Sequence, residues 1–351
     1  MTDALHTTRL TRRRTLALGG ATLAAPFIAR PALAAGGELR VLCFEGYGEP
    51  LWVDAFESAT GAKAALTYAG SVDEMFAKMQ GSRGADFDLV SIDTSAFKRY
   101  FEFGLLQPVD LAQVPNAANI DSAFDNVQPV MREGAQYGVP FAWGSLPLVY
   151  DKAQFDTAPS SWEIMWDAEY AQRLIALDDA NNNIVLAAML LKLPDPFNLS
   201  DDDFAAVKEK LVAQKQFLLT YYAGFDDGVS VFANSGIAAM FSMGEPQVPA
   251  LVAKGVDAAM TIPEEGAIGW LDCWAVSSGA RDPSLANAWI NACLDASVGN
   301  YLTSELNYGN AVDQAANEAN GFTYGDRLVW LEAPEDFEHR VQVWNEVKAA
   351  I

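Results

Sequence analysis

Histidine is scarce in this chain: of 351 residues only His6 and His339 are imidazoles. A Ser-His-Asp or Cys-His device therefore has little to draw on beyond the N-terminal segment, where only His339 remains. The sequence also lacks G-x-S-x-G, H-E-x-x-H, Walker and G-x-G-x-x-G patterns, so the common hydrolase, zinc-protease and nucleotide-binding sites have no sequence counterpart. Cysteine is equally sparse. Cys43, Cys273 and Cys293 form an odd set without C-x-x-C spacing, which signals neither a zinc site nor a disulfide framework. A Cys43–Cys273 bridge stays open in an oxidising compartment, but three buried thiols are expected. No metal and no cofactor is called for. Apolar runs are short, too, and none approaches the roughly 20 residues a membrane-spanning helix needs.

Positive charge is the other deficit, with 23 lysines and arginines against 46 acids. Nucleic acid is excluded as a partner, because its binding rests on lysine and arginine replacing counterions. Five of the arginines (Arg9, Arg12, Arg13, Arg14, Arg30) lie in residues 1–35 with one acid, Asp3, so the rest of the chain carries 18 basic and 45 acidic residues, a net charge of −27. Such a field concentrates cations, although it also serves solubility.

The N-terminus has the three parts of an export signal in order: a basic start, a short apolar run and a small-residue cleavage site. Thr11-Arg12-Arg13-Arg14-Thr15-Leu16 reads as a twin-arginine motif. The apolar run from Leu16 to Ile28 is broken by Gly19, Gly20 and Pro26, and Ala32-Leu33-Ala34 offers an A-x-A site. Residues 1–34 are thus expected to be a twin-arginine signal peptide directing the protein to the periplasm.

Beyond it, 51% hydrophobic residues and the chain length predict two α/β domains. Leu39–Phe44 and Ala62–Tyr68 read as strands separated by a helix that Gly61 ends. Ser71-Val72-Asp73-Glu74 has capping-box spacing and opens a helix to about Gln80. Asp88–Ile92 is a third strand, closing on Asp93-Thr94-Ser95. This βαβαβ order implies a parallel sheet with ligands beyond the carboxyl ends of its strands. A second unit begins near Trp143. It contains Ser160-Ser161-Trp162-Glu163 with capping-box spacing, a strand Leu174–Leu177 ending in Asp178-Asp179-Ala180-Asn181-Asn182-Asn183, and a helix Ile184–Leu191. Asp201 is expected to cap a further helix. Ile237–Phe241, Ala258–Ile262 and Gly269–Val276 follow as strands, and Asp282-Pro283 starts a helix burying Leu285, Trp289 and Cys293. With no repeat and no low-complexity linker, the units are expected to be joined by crossing strands.

Paired acids (Asp178-Asp179, Asp226-Asp227, Glu264-Glu265) suit glycoside hydrolysis in principle, but adjacent acids in so acidic a chain are ordinarily solvated or capping. More telling are aromatics beside acids at strand ends: Phe44-Glu45-Gly46-Tyr47, Trp270-Leu271-Asp272 and Asn307-Tyr308-Gly309. Organic ammonium groups want this pairing, since an aromatic face attracts a cation by roughly 0.5–2 kcal/mol and a carboxylate adds a charged hydrogen bond. Taken singly, Phe44 and Trp270 also suit a core.

The order of elements resembles the periplasmic spermidine/putrescine-binding proteins of ABC transporters over nearly the whole chain after the signal. The stretches that carry the resemblance are Leu39–Tyr47, Asp86–Asp93, Tyr137–Trp143, Ser161–Trp166, Leu177–Asn182 and, most specifically, Gly266–Val276 (G-A-I-G-W-L-D-C-W-A-V). It implies a two-lobed periplasmic binding protein of type II and no enzyme. One lobe is 36–142 with 272–316, the other 143–271 with 317–351. It also implies ligand contacts from Phe44, Tyr47, Asp179, Trp270, Asp272 and Tyr308, with Asp272 and Asp179 at one end of the ligand and Glu45 or Asp93 at the other. Two departures stand out: Asn182 replaces a glutamate, and Phe241-Ser242-Met243 replaces a tryptophan-centred loop. The expected ligand is a polyamine or related small cationic amine, the expected partner a membrane permease, and the expected state a monomer. Alternatives are an opine or amino acid derivative, a ferric ion held by Tyr221-Tyr222, or an exported enzyme acting on an amine.

Overall fold

The computed structural model describes residues 36–350; the expected signal peptide, residues 1–34, lies outside the described residues. The strands are, in chain order, β1 (Glu38–Cys43), β2 (Lys63–Tyr68), β3 (Leu89–Asp93), β4 (Leu106–Gln107), β5 (Met131–Arg132), β6 (Ala135–Gln136), β7 (Gly138–Leu146) and β8 (Leu148–Asp151). They continue with β9 (Leu174–Leu177), β10 (Leu218–Tyr222), β11 (Ala239–Phe241), β12 (Ala258–Thr261), β13 (Ala267–Ser277), β14 (Gly309–Asn310) and β15 (Leu328–Trp330).

Two sheets organise the chain. The larger has the order β14-β7-β13-β3-β1-β2, with β4 and β15 also paired to β13; the smaller has the order β10-β9-β11-β8-β12. β2, β1 and β3 are parallel, and the helices Pro50–Thr60 and Val72–Ser82 make the connections between them. The βαβαβ reading holds here for a physical reason: each strand is a short apolar run and each helix has a stop. Gly61, at φ 70°, takes the left-handed turn that ends the first helix at little cost. At the second, Ser71 Oγ accepts from the Glu74 N–H at 3.1 Å, but Glu74 accepts from Gly70 at 2.9 Å and not from Ser71 itself. A reciprocal capping box forms instead at Ser200 and Asp203, so Ser200, and not Asp201, caps the helix Asp201–Lys215. Ser161 caps only a short 3-10 segment, Trp162–Trp166.

The long antiparallel pair β7 and β13 links the two sheets. β7 ends at Leu146, and after Pro147 the chain enters the smaller sheet as β8; it returns between Thr261 and Ala267. Asp272 lies opposite Ala142, and Leu271 opposite Trp143, and the ladder slips register between Asp272 and Cys273. A bulge of this kind re-aims the neighbouring side chains. Every residue of β13 is buried except Trp270, which is half-buried. All three cysteines are buried and free, so no Cys43–Cys273 bridge exists. Among the described residues no helix is long and apolar enough to cross a membrane.

Candidate functional site

The larger sheet brings six of the sequence-derived residues together, from the ends of β1 and β3, from within β13 and from the turn before β14. β3 ends at Asp93, directly across the ladder from Asp272 of β13. The turn after β1 carries Phe44 and Tyr47, and the Tyr47 phenol donates to Asp272 Oδ2 at 2.6 Å. The Tyr47 ring meets Phe44 edge-on at 6.0 Å between centroids and Tyr308 at 6.3 Å, and Trp270 meets Tyr308 at 5.4 Å. Trp270 and Asp272 are two residues apart on one strand and so share a face. Four rings thus surround two carboxylates.

The electrostatics are unusual for so acidic a protein. Asp93 and Asp272 are each only 6% exposed, and Tyr47 2%. Burial pushes the Asp272 carboxyl up, and the Asp93 charge pushes it further, against the Tyr47 hydrogen bond. Asp93 is raised as well, chiefly by burial, although Ser95 donates to it from its backbone at 2.8 Å and from its hydroxyl. The Tyr47 phenol is raised by burial and then by Asp272, so it stays a proton donor.

A third buried carboxylate, which the sequence did not reveal, completes the cluster. Glu245, 4% exposed, accepts at Oε1 from the Ser145 N–H at 2.7 Å, the Ser145 hydroxyl at 2.6 Å and the Tyr324 hydroxyl at 2.6 Å. Its other oxygen, Oε2, is buried and has no hydrogen-bond partner. A methyl group on Gly144 would stand 2.5 Å from Cζ2 of Trp270 and 2.8 Å from Glu245 Oε2, so the free oxygen and the indole edge flank one point. The Tyr308 phenol is raised by burial first and then by the charges of both Asp272 and Glu245. Glu245 also borders a cavity of about 170 Å³. The sequence signal was faint: a lone acid two residues beyond Phe241-Ser242-Met243, after a run of small residues.

The remaining candidates lie elsewhere. Asp179 is the N-cap of the helix Ala180–Leu190 and accepts from the Asn182 N–H at 2.7 Å. Burial raises its carboxyl, and the charges of Asp178 and Asp73 add to this. Asn182 is half-buried, and its side-chain oxygen has no partner. Glu45 is exposed, so its charge stays in water. Phe241 is fully buried against Trp162 at 5.3 Å, and its carbonyl accepts from Tyr222 at 2.9 Å; it is a core residue and lines no cleft.

Tyr221 and Tyr222 alternate across β10. Tyr222 is buried toward Phe241, whereas Tyr221 packs on Trp344 at 4.7 Å, so the two phenols point to opposite sides and cannot share one ion. Among the described residues no group of histidines, cysteines and acids is placed to hold a metal. A larger open groove of about 540 Å³ contains none of the site residues. Its Lys98 and Arg132 are mixed with Glu102 and Glu332, so it offers no field of one sign.

Buried acids, clustered rings and two sheets joined by crossing strands suit a solute-binding protein. The chain belongs to the bacterial extracellular solute-binding protein family, whose model matches residues 52–324. Its members capture a solute and are not enzymes. The spermidine/putrescine-binding periplasmic protein of Salmonella typhimurium is 26% identical over 272 residues, covering 75% of this chain and 74% of that protein. The putrescine-binding periplasmic protein PotF of Escherichia coli is 24% identical over 289 residues, covering 78% and 77%. Among solved structures, the spermidine/putrescine ABC transporter substrate-binding protein PotD of Streptococcus pneumoniae superposes with a TM-score of 0.77 at 18% identity, covering 90% of this chain and 99% of that one. The two-lobed fold expected from the sequence is therefore the observed one.

Proposed function

We propose that this protein captures a small cationic amine of the polyamine class in the periplasm and delivers it to the membrane permease of an ABC importer. One observation carries the reading: among the described residues, no lysine, arginine or histidine forms an ion pair with Asp93, Asp179, Glu245 or Asp272, although three of these acids are almost fully buried. Burying carboxylates without a positive partner costs several kcal/mol, and such a cost is maintained where a ligand supplies the missing charge. Arg99, whose charge is felt at Asp93, is already paired with Asp73 at 2.6 Å, so it does not stand free for a ligand carboxylate. This favours a cationic amine over an opine or amino acid derivative.

In this reading Asp272 and Asp93 take one ammonium group, Glu245 Oε2 takes a second, and Trp270, Tyr308, Tyr47 and Phe44 pack along the alkyl chain between them. The lobes are 36–142 with 272–316 and 143–271 with 317–351. The chain passes from the larger to the smaller sheet after Leu146 and back between Thr261 and Ala267, a few residues from these proposed bounds, where Trp143 and Leu271 face each other across β7 and β13. Bending there closes the lobes, brings Asp179 toward the ligand, and strengthens each charge pair as water leaves. Export through the twin-arginine route and function as a monomer belong to the same proposal.

A thermal-shift screen tests it with putrescine, spermidine, agmatine, choline, amino acids, opines and ferric citrate. A di- or triamine is expected to raise the melting temperature and the others are not. A shift with ferric citrate or with amino acids alone refutes the amine assignment, and consumption of the amine would show an enzyme.

A further inference from the structure

The C-terminal helix Phe337–Ala349 carries three long polar side chains at four-residue spacing, Arg340, Trp344 and Lys348, and therefore on one face. Trp344 and Lys348 reach the link between β9 and the helix Ala180–Leu190, and Arg340 reaches the first turn of that helix and the loop at Pro196. Trp344 Nε1 donates to Asp178 Oδ1 at 2.8 Å, and Lys348 Nζ donates to Asp178 Oδ1 at 2.8 Å and Oδ2 at 3.1 Å. Arg340, fully buried, donates to Asn181 Oδ1 at 3.1 Å and to the Pro196 carbonyl at 2.7 Å. Asp179 sits between the two gripped residues. Its own carboxylate is committed to capping through Asn182, and Asn183 Nδ2 ties the turn back to the Leu177 and Asp179 carbonyls at 2.8 and 2.7 Å.

A fully buried guanidinium without a carboxylate partner is an expensive way to hold a helix in place. Packing of Val343 and Val347 against the helices Ala180–Leu190 and Asp201–Lys215 already supplies adhesion. The polar contacts add something packing does not, namely the fixed position of one turn.

We infer that Arg340, Trp344 and Lys348 are positioning residues for ligand binding, a brace that fixes the carboxylate of Asp179 by holding its neighbours Asp178 and Asn181. The inference rests on the proposed role of Asp179 toward a cationic amine. It implies that the last helix, remote in sequence from the aromatic cluster, sets affinity through the second lobe's acid.

A double-mutant cycle with putrescine as the probe, read by titration calorimetry below the melting range of every variant, tests it. Trp344→Phe combined with Lys348→Met keeps apolar bulk while removing every donor to Asp178. This pair is expected to weaken putrescine binding five- to tenfold in the parent, and less than twofold when Asp179→Asn is already present. Asparagine still caps a helix, so that background keeps its fold. An equal loss in both backgrounds, or a lowered melting temperature with unchanged affinity, overturns the brace and leaves the amine reading standing. If Asp179→Asn binds putrescine like the parent, the role of Asp179 fails and the brace falls with it. If the parent binds no amine, both readings fall. Should the double substitution not fold, Lys348→Met alone runs the same cycle, with a two- to threefold loss expected in the parent, none in Asp179→Asn, and the same results overturning it.

Discussion

Asp272→Asn should make the protein more stable while destroying its binding. Asp272 and Asp93 are directly opposed across an antiparallel ladder, where side chains stand roughly 5 Å apart, and two charges at that distance repel by about 3 kcal/mol at an effective dielectric near 20. Asparagine removes this repulsion and can still accept the Tyr47 hydrogen bond, now without charge assistance, a loss of about 1 kcal/mol. The balance is a gain of about 2 kcal/mol, which for a chain of this size is a rise of a few degrees in melting temperature. The gain must depend on pH. The folded-state carboxyl lies above its unfolded value, so the native protein binds more protons than the unfolded chain, and stability falls as pH rises from about 4 toward the raised value near 8. Melting followed by circular dichroism should therefore show parent and Asp272→Asn coinciding near pH 4 and diverging toward pH 8, with putrescine stabilising only the parent. If Asp272→Asn melts below the parent at pH 8, the carboxylate is well satisfied by the protein itself and the premise of a site awaiting a cation is wrong.

Other outcomes follow from the same geometry. Glu245→Gln keeps an acceptor for Ser145 and Tyr324 but loses the charge at Oε2, so the ratio of putrescine to butylamine affinity, measured by competition calorimetry, should fall at least tenfold; an unchanged ratio removes Glu245 from the ligand path. Gly144→Ala places a methyl group 2.5 Å from the Trp270 ring and 2.8 Å from Glu245, which should cost about 1–3 kcal/mol in denaturant titrations and weaken putrescine binding about tenfold. Replacing Arg12 and Arg13 together by lysine should leave precursor in the cytoplasm on fractionation if export uses the twin-arginine route.

The parts of the fold that were legible are those where one physical rule decides. β1, β2 and β3 are short apolar runs, and the stop at Gly61 and the cap at Ser71 leave little choice between them. Asp282 before Pro283 marked a helix start correctly, and Leu285, Trp289 and Cys293 are buried as their spacing required. Trp270, Asp272, Tyr47, Phe44 and Tyr308 could be grouped as candidates because aromatics beside acids suit a cation, and the fold does bring these five side chains together.

What escaped reading depends on contacts between distant segments. Glu245 gains its meaning only from Ser145, 100 positions away, and Tyr324, 79 positions away, which hold one oxygen and leave the other bare. Phe241-Ser242-Met243 stands where the resemblance expects a tryptophan-centred loop, yet the order β9-β11-β8 puts Phe241 in the middle of a sheet, where a side chain on the core face is covered whatever its chemistry. The family resemblance put Asp179 and Asp272 at one end of the ligand, but Asp179 follows β9 of the smaller sheet whereas Asp272 lies within β13 of the larger, and only the register of β3 against β13 shows that Asp93 stands opposite Asp272. A strand-end acid can therefore be recognised from its neighbours in sequence, whereas its partner across the cleft is set by sheet order. In the proposed reading, a positive charge supplied by the ligand, and not an internal bond, draws the two sets of acids together.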